Sequence, residues 1–476
     1  MAAAQDLHDD PETHVLRRRS NTMTTQMKRA ARAAGMALLT VGLLFNTACD
    51  LDEILAVDIP GKVDAESLSD PTLATVLVNS VVGDAECAWS NYAAASSHHS
   101  DEWIPTSGNL NMREWGQRKM DPQALSGGVL ATGSCESNYG VYTPLQTARF
   151  QSNDIFDKLA EFDAGDVPGK AQMQGRVRAY GGWALLALGQ GFCSMALDGG
   201  GEMQPDQVLD VAAQNFSEAI STAGDAALVT SSYAGRARAK LGMGDWSGAI
   251  ADAQQVAEGF KFGADRAADL NRRMNFLHRW LNDTNDGISK HGSVADHFRD
   301  LTVNDAGELT QNDGMPDPRV PVETIGNQAF DFSTIHYYTT KYTSRADAAP
   351  LASWEGAQLI IAEAAAQMGD VATAVGVING LRAKAGLPEW AAGASASQSD
   401  VIAAVLAERS RELFVEQGWR YNDMLQYRGT AQQIPFLGEA GSIHPNGLDQ
   451  TGAEYGTVTC WELPLVETNG NTNITR

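Results

Sequence analysis

The chain has 476 residues, with 35 Lys and Arg set against 59 Asp and Glu, a formal net charge of −24. A surface this acidic repels nucleic acid and anionic lipid headgroups, so no nucleic-acid partner is expected, and anionic ligands are disfavoured as a first reading. The length allows a large core, and 46 Gly with 16 Pro indicate many turns without low-complexity sequence.

In chain order, the first feature is a targeting segment over 1–48. Lys28, Arg29 and Arg32 precede the uncharged run 33–45, which leads to Asn46, Thr47, Ala48 and Cys49. A basic stretch, a short apolar core and a small residue before a cut describe a secretory signal. As a helix the run reaches only about 20 Å, short of the ~30 Å hydrocarbon layer, so it does not read as a membrane span. Residues 1–22 carry no recognisable pattern, and a start at Met23 or Met27 would leave a signal of ordinary length. Cys49 directly after Ala48 resembles a lipoprotein signal, in which that Cys is acylated and becomes the first mature residue. Residues 49–70 then read as an acidic tether carrying Asp50, Asp52 and Glu53.

Residues 71–476 read as one domain with a helical scaffold over 71–83, 142–261 and 351–428. Leu73, Val76, Leu77 and Val81 fall at helical spacing. Helices are expected over 142–162, 172–189, 207–223, 232–241 and 246–259. The last two resemble a tetratricopeptide pair: Ala239 and Ala249 permit close approach, and Gly244-Asp245 makes the turn. Loop-rich insertions are expected over 84–141 and 262–350, the second with a short strand near 335–342, and 429–476 forms a carboxyl tail. Loops this long are usually functional or disordered.

The segment 354–428 is the most diagnostic. A helix stops at Gly369, and Asp370 caps the next, whose Val371, Ala374, Val375, Ile378 and Leu381 form one apolar stripe. Gly386 and Pro388 end it. A third helix, 401–417, carries Ile402, Val405, Leu406 and Leu413 on one face and Glu408, Arg409, Arg411 and Glu412 on its charged one.

This block resembles the core of the SusD/RagB family, surface lipoproteins that act as lids for TonB-dependent outer-membrane transporters. The resemblance rests on Leu359, Ala362, Glu363, Ala364, Gly369 and Asp370, then Ile378, Asn379, Leu381, Arg382 and Gly386. It continues through Glu408, Arg409, Glu412, Leu413, Glu416, Gly418, Arg420, Asp423 and Leu425. Trp461, Pro464, Glu467 and Asn469 echo the family's closing signature, and Asp317-Pro318-Arg319 with Lys341-Tyr342 echo the segment before the core. Matches are dense over 350–470, patchy over 75–345 and absent before 49. The resemblance implies an all-α fold of tetratricopeptide-like helical pairs with long irregular insertions on the ligand and partner side. It also implies a lipid-anchored protein on the outer membrane, exposed at the cell surface, that captures nutrient oligomers for a SusC-like TonB-dependent transporter. Oligosaccharide is the family's commonest ligand and peptide the alternative. A rival reading is an exported helical scaffold that binds a protein partner only.

Besides Cys49 there are Cys87, Cys135, Cys193 and Cys460, an even number in an exported chain. Four cysteines allow three connectivities and sequence does not choose among them; the preferred pairing is Cys87–Cys135 with Cys193–Cys460. No C-x-x-C or nearby His pair suggests zinc.

Catalytic motifs are missing: there is no H-E-x-x-H, no G-x-S-x-G, no phosphate-binding glycine loop and no dinucleotide fingerprint. His98 and His99 read as neighbours in an extended loop, His291 and His297 as isolated, and Asp101-Glu102 as a solvated acidic pair. The expectation is no enzyme, cofactor or metal. Binding has better support. Tyr92, Trp103, Asn109, Asn111, Arg113 and Trp115 lie in the first irregular region, and Trp280, Tyr337 and Tyr338 in the second. A flat aromatic face stacks on a sugar ring while amides and guanidinium bond its hydroxyls. Tyr, Trp and Arg also dominate protein–protein contacts, and Trp is highly buried on average. Trp89 and Trp246 are expected in the core; Trp103 and Trp115, set among polar residues without an apolar period, are expected to be exposed.

Overall fold

The computed structural model describes residues 67–123, 127–128, 133–135, 140–285 and 289–474. The expected signal over 1–48, the acylated Cys49 and the tether up to residue 66 lie outside the described residues. The unit 65–476 is all-α, with short strand pairs set among helices. Its helices are α1 (Ala74–His99), α2 (Leu110–Gly116), α3 (Tyr142–Glu161), α4 (Lys170–Gly191), α5 (Pro205–Thr222) and α6 (Ala226–Gly242). They continue as α7 (Trp246–Ala253), α8 (Trp354–Gln367), α9 (Val371–Lys384), α10 (Gln398–Glu412), α11 (Trp419–Gln426) and α12 (Leu465–Gly470). No helix among the described residues is long and apolar enough to cross a membrane.

Helices α3 to α9 form the frame, each packed on the next, with α1 lying against α3 and α4 and α10 against α8. Two hairpins repeat one turn chemistry. In α6–α7 and α8–α9 a glycine at positive φ, Gly244 at 79° and Gly369 at 83°, ends the first helix. The next residue then caps the second: Asp245 accepts from Gly248 N at 3.0 Å and Asp370 from Thr373 N at 3.1 Å. These are the tetratricopeptide-like pairs expected from the sequence.

The boundary expected at residue 83 is corrected: α1 runs unbroken to His99. From Ala85 onward every residue of that helix is buried, so no apolar stripe marks it. Small residues make this possible, and its hydroxyls and amides bond inward. Ser96 Oγ donates to Tyr92 O at 2.7 Å, and Asn91 Nδ2 to Gly140 O at 2.6 Å. His98 and His99 therefore lie in a buried last turn, not an extended loop, and burial pushes them down to about 3 and about 4.

The disulfides join Cys87 to Cys135 and Cys193 to Cys460, with Cα separations of 6.0 and 5.0 Å, the pairing preferred from sequence. The second ties the carboxyl tail to the end of α4, where Phe192 bridges Trp461 in parallel.

The charged run of α10 is buried. Arg409, with no side-chain exposure, lies 2.6 Å from Glu363 Oε2 and donates to Asp423 Oδ1 at 2.7 Å and Oδ2 at 2.9 Å. Tyr427 OH donates to Glu363 Oε1 at 2.6 Å. A second network joins Arg382 and Arg319 to Glu408, at 2.5 and 2.7 Å, with Asp317 bridging Arg319 and Arg411. These charges clamp α8, α9, α10 and α11 together, because a buried ion is tolerated only when paired.

Candidate functional site

The two irregular regions meet because β1 (Trp103–Pro105) pairs antiparallel with β2 (Gly292–Val294). Asp101 and Glu102, at the root of β1, are buried rather than solvated. Burial alone would raise Asp101, but the Arg420 guanidinium, donating at 2.6 Å to each oxygen, and His297 at 3.1 Å hold it well below the usual range. Glu102 has no such counterion, and burial pushes it up to about 7. Its Oε1 accepts from Val415 N at 2.7 Å, pinning a β-branched residue at φ 56°.

Beyond β1 the chain forms the surface that carries the candidate site. β3 (Val322–Glu323) pairs with β4 (Tyr338–Thr339), and the hairpin continues through the Gln328–Ile335 bridge to a tip at 329–334. Asp331 fixes the tip, accepting from Ser333 N and Thr334 N at 2.9 Å and from Thr334 Oγ1 at 2.6 Å. The Ala329 N donates to Thr334 O at 2.8 Å. On this rigid turn Phe332 is 69% exposed and holds φ at 56°. A bulky residue at positive φ is an outlier kept only when its surroundings enforce it, and such outliers cluster at functional sites. Phe330 supports it edge-on at 5.8 Å and itself meets His291 at 5.7 Å.

Two further loops flank the tip. Gly108 approaches Phe330 so closely that a Cβ would sit 2.6 Å from its carbonyl oxygen. Ser107 Oγ lies 2.7 Å from His291 Nδ1, fixing the same corner. From the carboxyl tail, Gln450 Nε2 donates to Pro105 O at 2.6 Å and lies 3.4 Å from Thr334 Oγ1. Arg113 Nη2 donates to Thr451 Oγ1 at 2.5 Å and stands 3.5 Å from Asp449. Leu110 at the start of α2 (59%), Ile335 on the hairpin (41%) and Leu448 in the carboxyl tail (45%) expose apolar surface. Segments distant in sequence thus form one surface of an aromatic ring, apolar side chains, amides and hydroxyls. Among the described residues no group of three His, Cys, Asp or Glu is placed to hold a metal.

The sequence profile of the SusD family matches residues 357–454. That span contains Glu363, Arg382, Glu408, Arg409 and Asp423, the residues that build the buried charge clamp. Over that span the chain is similar to the SusD family. Solved SusD structures share its fold. A SusD-like carbohydrate binding protein from Bacteroides vulgatus is 14% identical with a TM-score of 0.61, covering 85% of this chain and 97% of its own. A SusD superfamily protein from Parabacteroides distasonis is 14% identical with a TM-score of 0.61, covering 87% and 99%. A SusD-like carbohydrate binding protein from Bacteroides fragilis is 13% identical with a TM-score of 0.60, covering 86% and 99%. No curated protein matches the chain.

Of the residues expected to bind ligand, four are core. Tyr92, Trp103 and Trp115 have no exposure and Trp280 only 2%. Trp115 meets Trp280 edge-on at 5.8 Å, Trp280 stacks on Phe276 at 4.6 Å, and Tyr92 packs against Trp461. The expected exposure of Trp103 and Trp115 fails because their polar neighbours, among them Thr106, Ser107, Gln117 and Arg118, are buried and bonded themselves. Trp89 is core, donating to Pro350 O at 2.7 Å, whereas Trp246 is half-buried at its edge.

Asn109 at the end of the flanking loop, and Asn111 and Arg113 on α2, are half-buried. Asn109 caps α2 by accepting from Met112 N at 3.3 Å. Tyr337 lies under the Arg299 guanidinium at 3.8 Å, and Tyr338 stacks on His336 at 5.8 Å, both lower on the hairpin than its tip. Phe330, Phe332 and the 448–451 loop escaped notice. The signal for the first two was present: Phe330-Asp331-Phe332-Ser333-Thr334 places two aromatics around an Asx-turn former with no apolar period.

Proposed function

We propose that the protein is a glycan-binding member of the SusD family, anchored to the outer membrane through acylated Cys49 and exposed at the cell surface. It captures oligosaccharide at the hairpin-tip surface and acts as the lid of a SusC-like TonB-dependent transporter, without catalysing a reaction. The observation that carries the ligand reading is Phe332, an exposed ring held at positive φ on a bonded turn. A rigid ring stacks on a sugar without losing conformational freedom, and preorganisation of this kind raises affinity. The groups around it are mostly neutral: Asn109, Gln450, Thr451, Ser333 and Thr334, suited to hydroxyls. Two of the solved neighbours are described as carbohydrate binding, in agreement with this reading.

Calorimetric titration of the purified protein against neutral glycan and peptide libraries tests it. Binding of a glycan that falls at least tenfold in Phe332→Ala, with an unchanged melting temperature, is expected. Binding of peptides alone favours the peptide-binding alternative, and absence of both ligands favours an exported scaffold that engages only protein. The anchor and partner are tested separately, by incorporation of labelled palmitate that Cys49→Ala abolishes and by co-purification of a β-barrel transporter from detergent extracts.

A further inference from the structure

An arginine-lined recess lies apart from the hairpin-tip surface, between α1 and the loop 265–273. It has a volume of about 250 Å³, with Asn79, Ser80 and Gly83 on one wall and Arg266, Arg272 and Arg273 on the other. Three arginines line one recess in a chain whose net charge is −24. Among the described residues the only carboxylate lining it is Glu86, which accepts from Arg266 Nη2 at 3.0 Å. Asp84 pairs with Arg272, and Asp265 lies exposed beside Glu86, donating its N–H to Glu86 Oε1 at 3.2 Å.

The recess is built rather than incidental. Arg266 is 8% exposed, and its Nη1 donates to the Arg272 carbonyl at 3.2 Å, while its Nε is buried without a hydrogen-bond partner. The loop that presents the three side chains is fixed by Ala267 N donating to Arg273 O at 2.7 Å and Arg273 N to Leu270 O at 2.9 Å. On the opposite wall a Cβ at Gly83 would find only Arg272 Nη2, at 4.0 Å, so no α1 side chain fills the space from that position.

We propose that this recess binds a tetrahedral oxyanion, a phosphate or sulfate group. Guanidinium forks match such oxygens two at a time, and several forks around one centre give both affinity and geometry. Glu86 and Asp84 each offset one guanidinium, and Arg273 adds a further positive charge that attracts an anion. Asn79 and Ser80 add neutral donors from α1. The group could be free in solution or carried by a lipid headgroup, and the chemistry of capture is the same.

The test uses inorganic phosphate on the purified protein, at ionic strength matched with sodium chloride, read by melting temperature and calorimetry. Vesicles of phosphatidylglycerol and of phosphatidylcholine form a second arm. Saturable phosphate binding that Arg273→Gln weakens at least tenfold supports the proposal. Arg273 is exposed, so the variant keeps its fold. Gly83→Asp places a carboxylate in the recess and is expected to abolish phosphate binding while raising the melting temperature without phosphate. Binding to phosphatidylglycerol but not phosphatidylcholine vesicles, lost in Arg273→Gln, assigns the source to a headgroup; free phosphate binding without it assigns a soluble ligand. The proposal is overturned if neither phosphate nor phosphatidylglycerol binds beyond the chloride control, or if both variants bind as the parent does.

Discussion

Replacing Arg409 by Met isolates the charge clamp that holds α8, α10 and α11 together. In the folded protein Arg409 faces two carboxylates, Glu363 and Asp423, all three without side-chain exposure, and Trp419 covers the guanidinium at 4.7 Å. Met keeps much of the stem volume but leaves two buried carboxylates without their shared cation. Removing one partner of such a group costs about 3–5 kcal/mol, far more than an exposed pair. Arg238 and Arg420 still act on Asp423, which places the expectation near the lower end, roughly 3 kcal/mol. The sign of the pH dependence follows from burial, which already raises Asp423 even against the pull of Arg409. Without Arg409 the Asp423 carboxyl rises further above its unfolded value, so the folded variant binds more protons than its unfolded chain. Its deficit against the parent is therefore smallest in acid and widens as pH rises from about 5 to 8, by roughly 1–3 kcal/mol. Urea denaturation of both proteins across that range measures it. A loss under about 1 kcal/mol at pH 8, or a loss independent of pH, refutes the reasoning.

Three other perturbations test separate parts of the structure. Glu102→Gln keeps an acceptor for Val415 N but removes a carboxyl that burial pushes from 4.5 to about 7. The parent loses stability as pH rises through that interval, by up to roughly 3 kcal/mol, and the variant should show that much less decline in denaturation midpoints. Phe332→Gly relieves a positive φ and is expected to leave stability unchanged or raise it by up to about 1 kcal/mol while abolishing ligand binding; a clear fall in melting temperature would contradict a strained, exposed ring. Gly108→Ala drives a methyl against the Phe330 carbonyl and should cost about 1–3 kcal/mol together with affinity, whereas unaltered calorimetry would show that the two loops are not tightly apposed.

Sequence made the frame legible where a helix has one wet face and a turn has a chemical marker. The α8–α9 pair shows both, in the Val371 to Leu381 stripe and the Gly369-Asp370 turn. The second half of α1 has neither, because it is surrounded on every side, and its Ser, Asn and His residues look like loop until their buried partners are known. The same blindness misplaced Trp103 and Trp115. Polarity along the chain reports exposure only when polar groups bond to water, and here Asp101 bonds Arg420 while Gln117 bonds Asp449 at 2.7 Å. The hairpin-tip surface required pairings over hundreds of residues, such as Gln450 with Pro105, that no local pattern encodes.

A crystal structure with a bound neutral glycan tests the central claim most directly. A sugar ring stacked on Phe332, with hydroxyls bonded to the loops around Asn109 and Thr451, is the expected result. A glycan held elsewhere on the protein, with Phe332 facing open solvent, would contradict it.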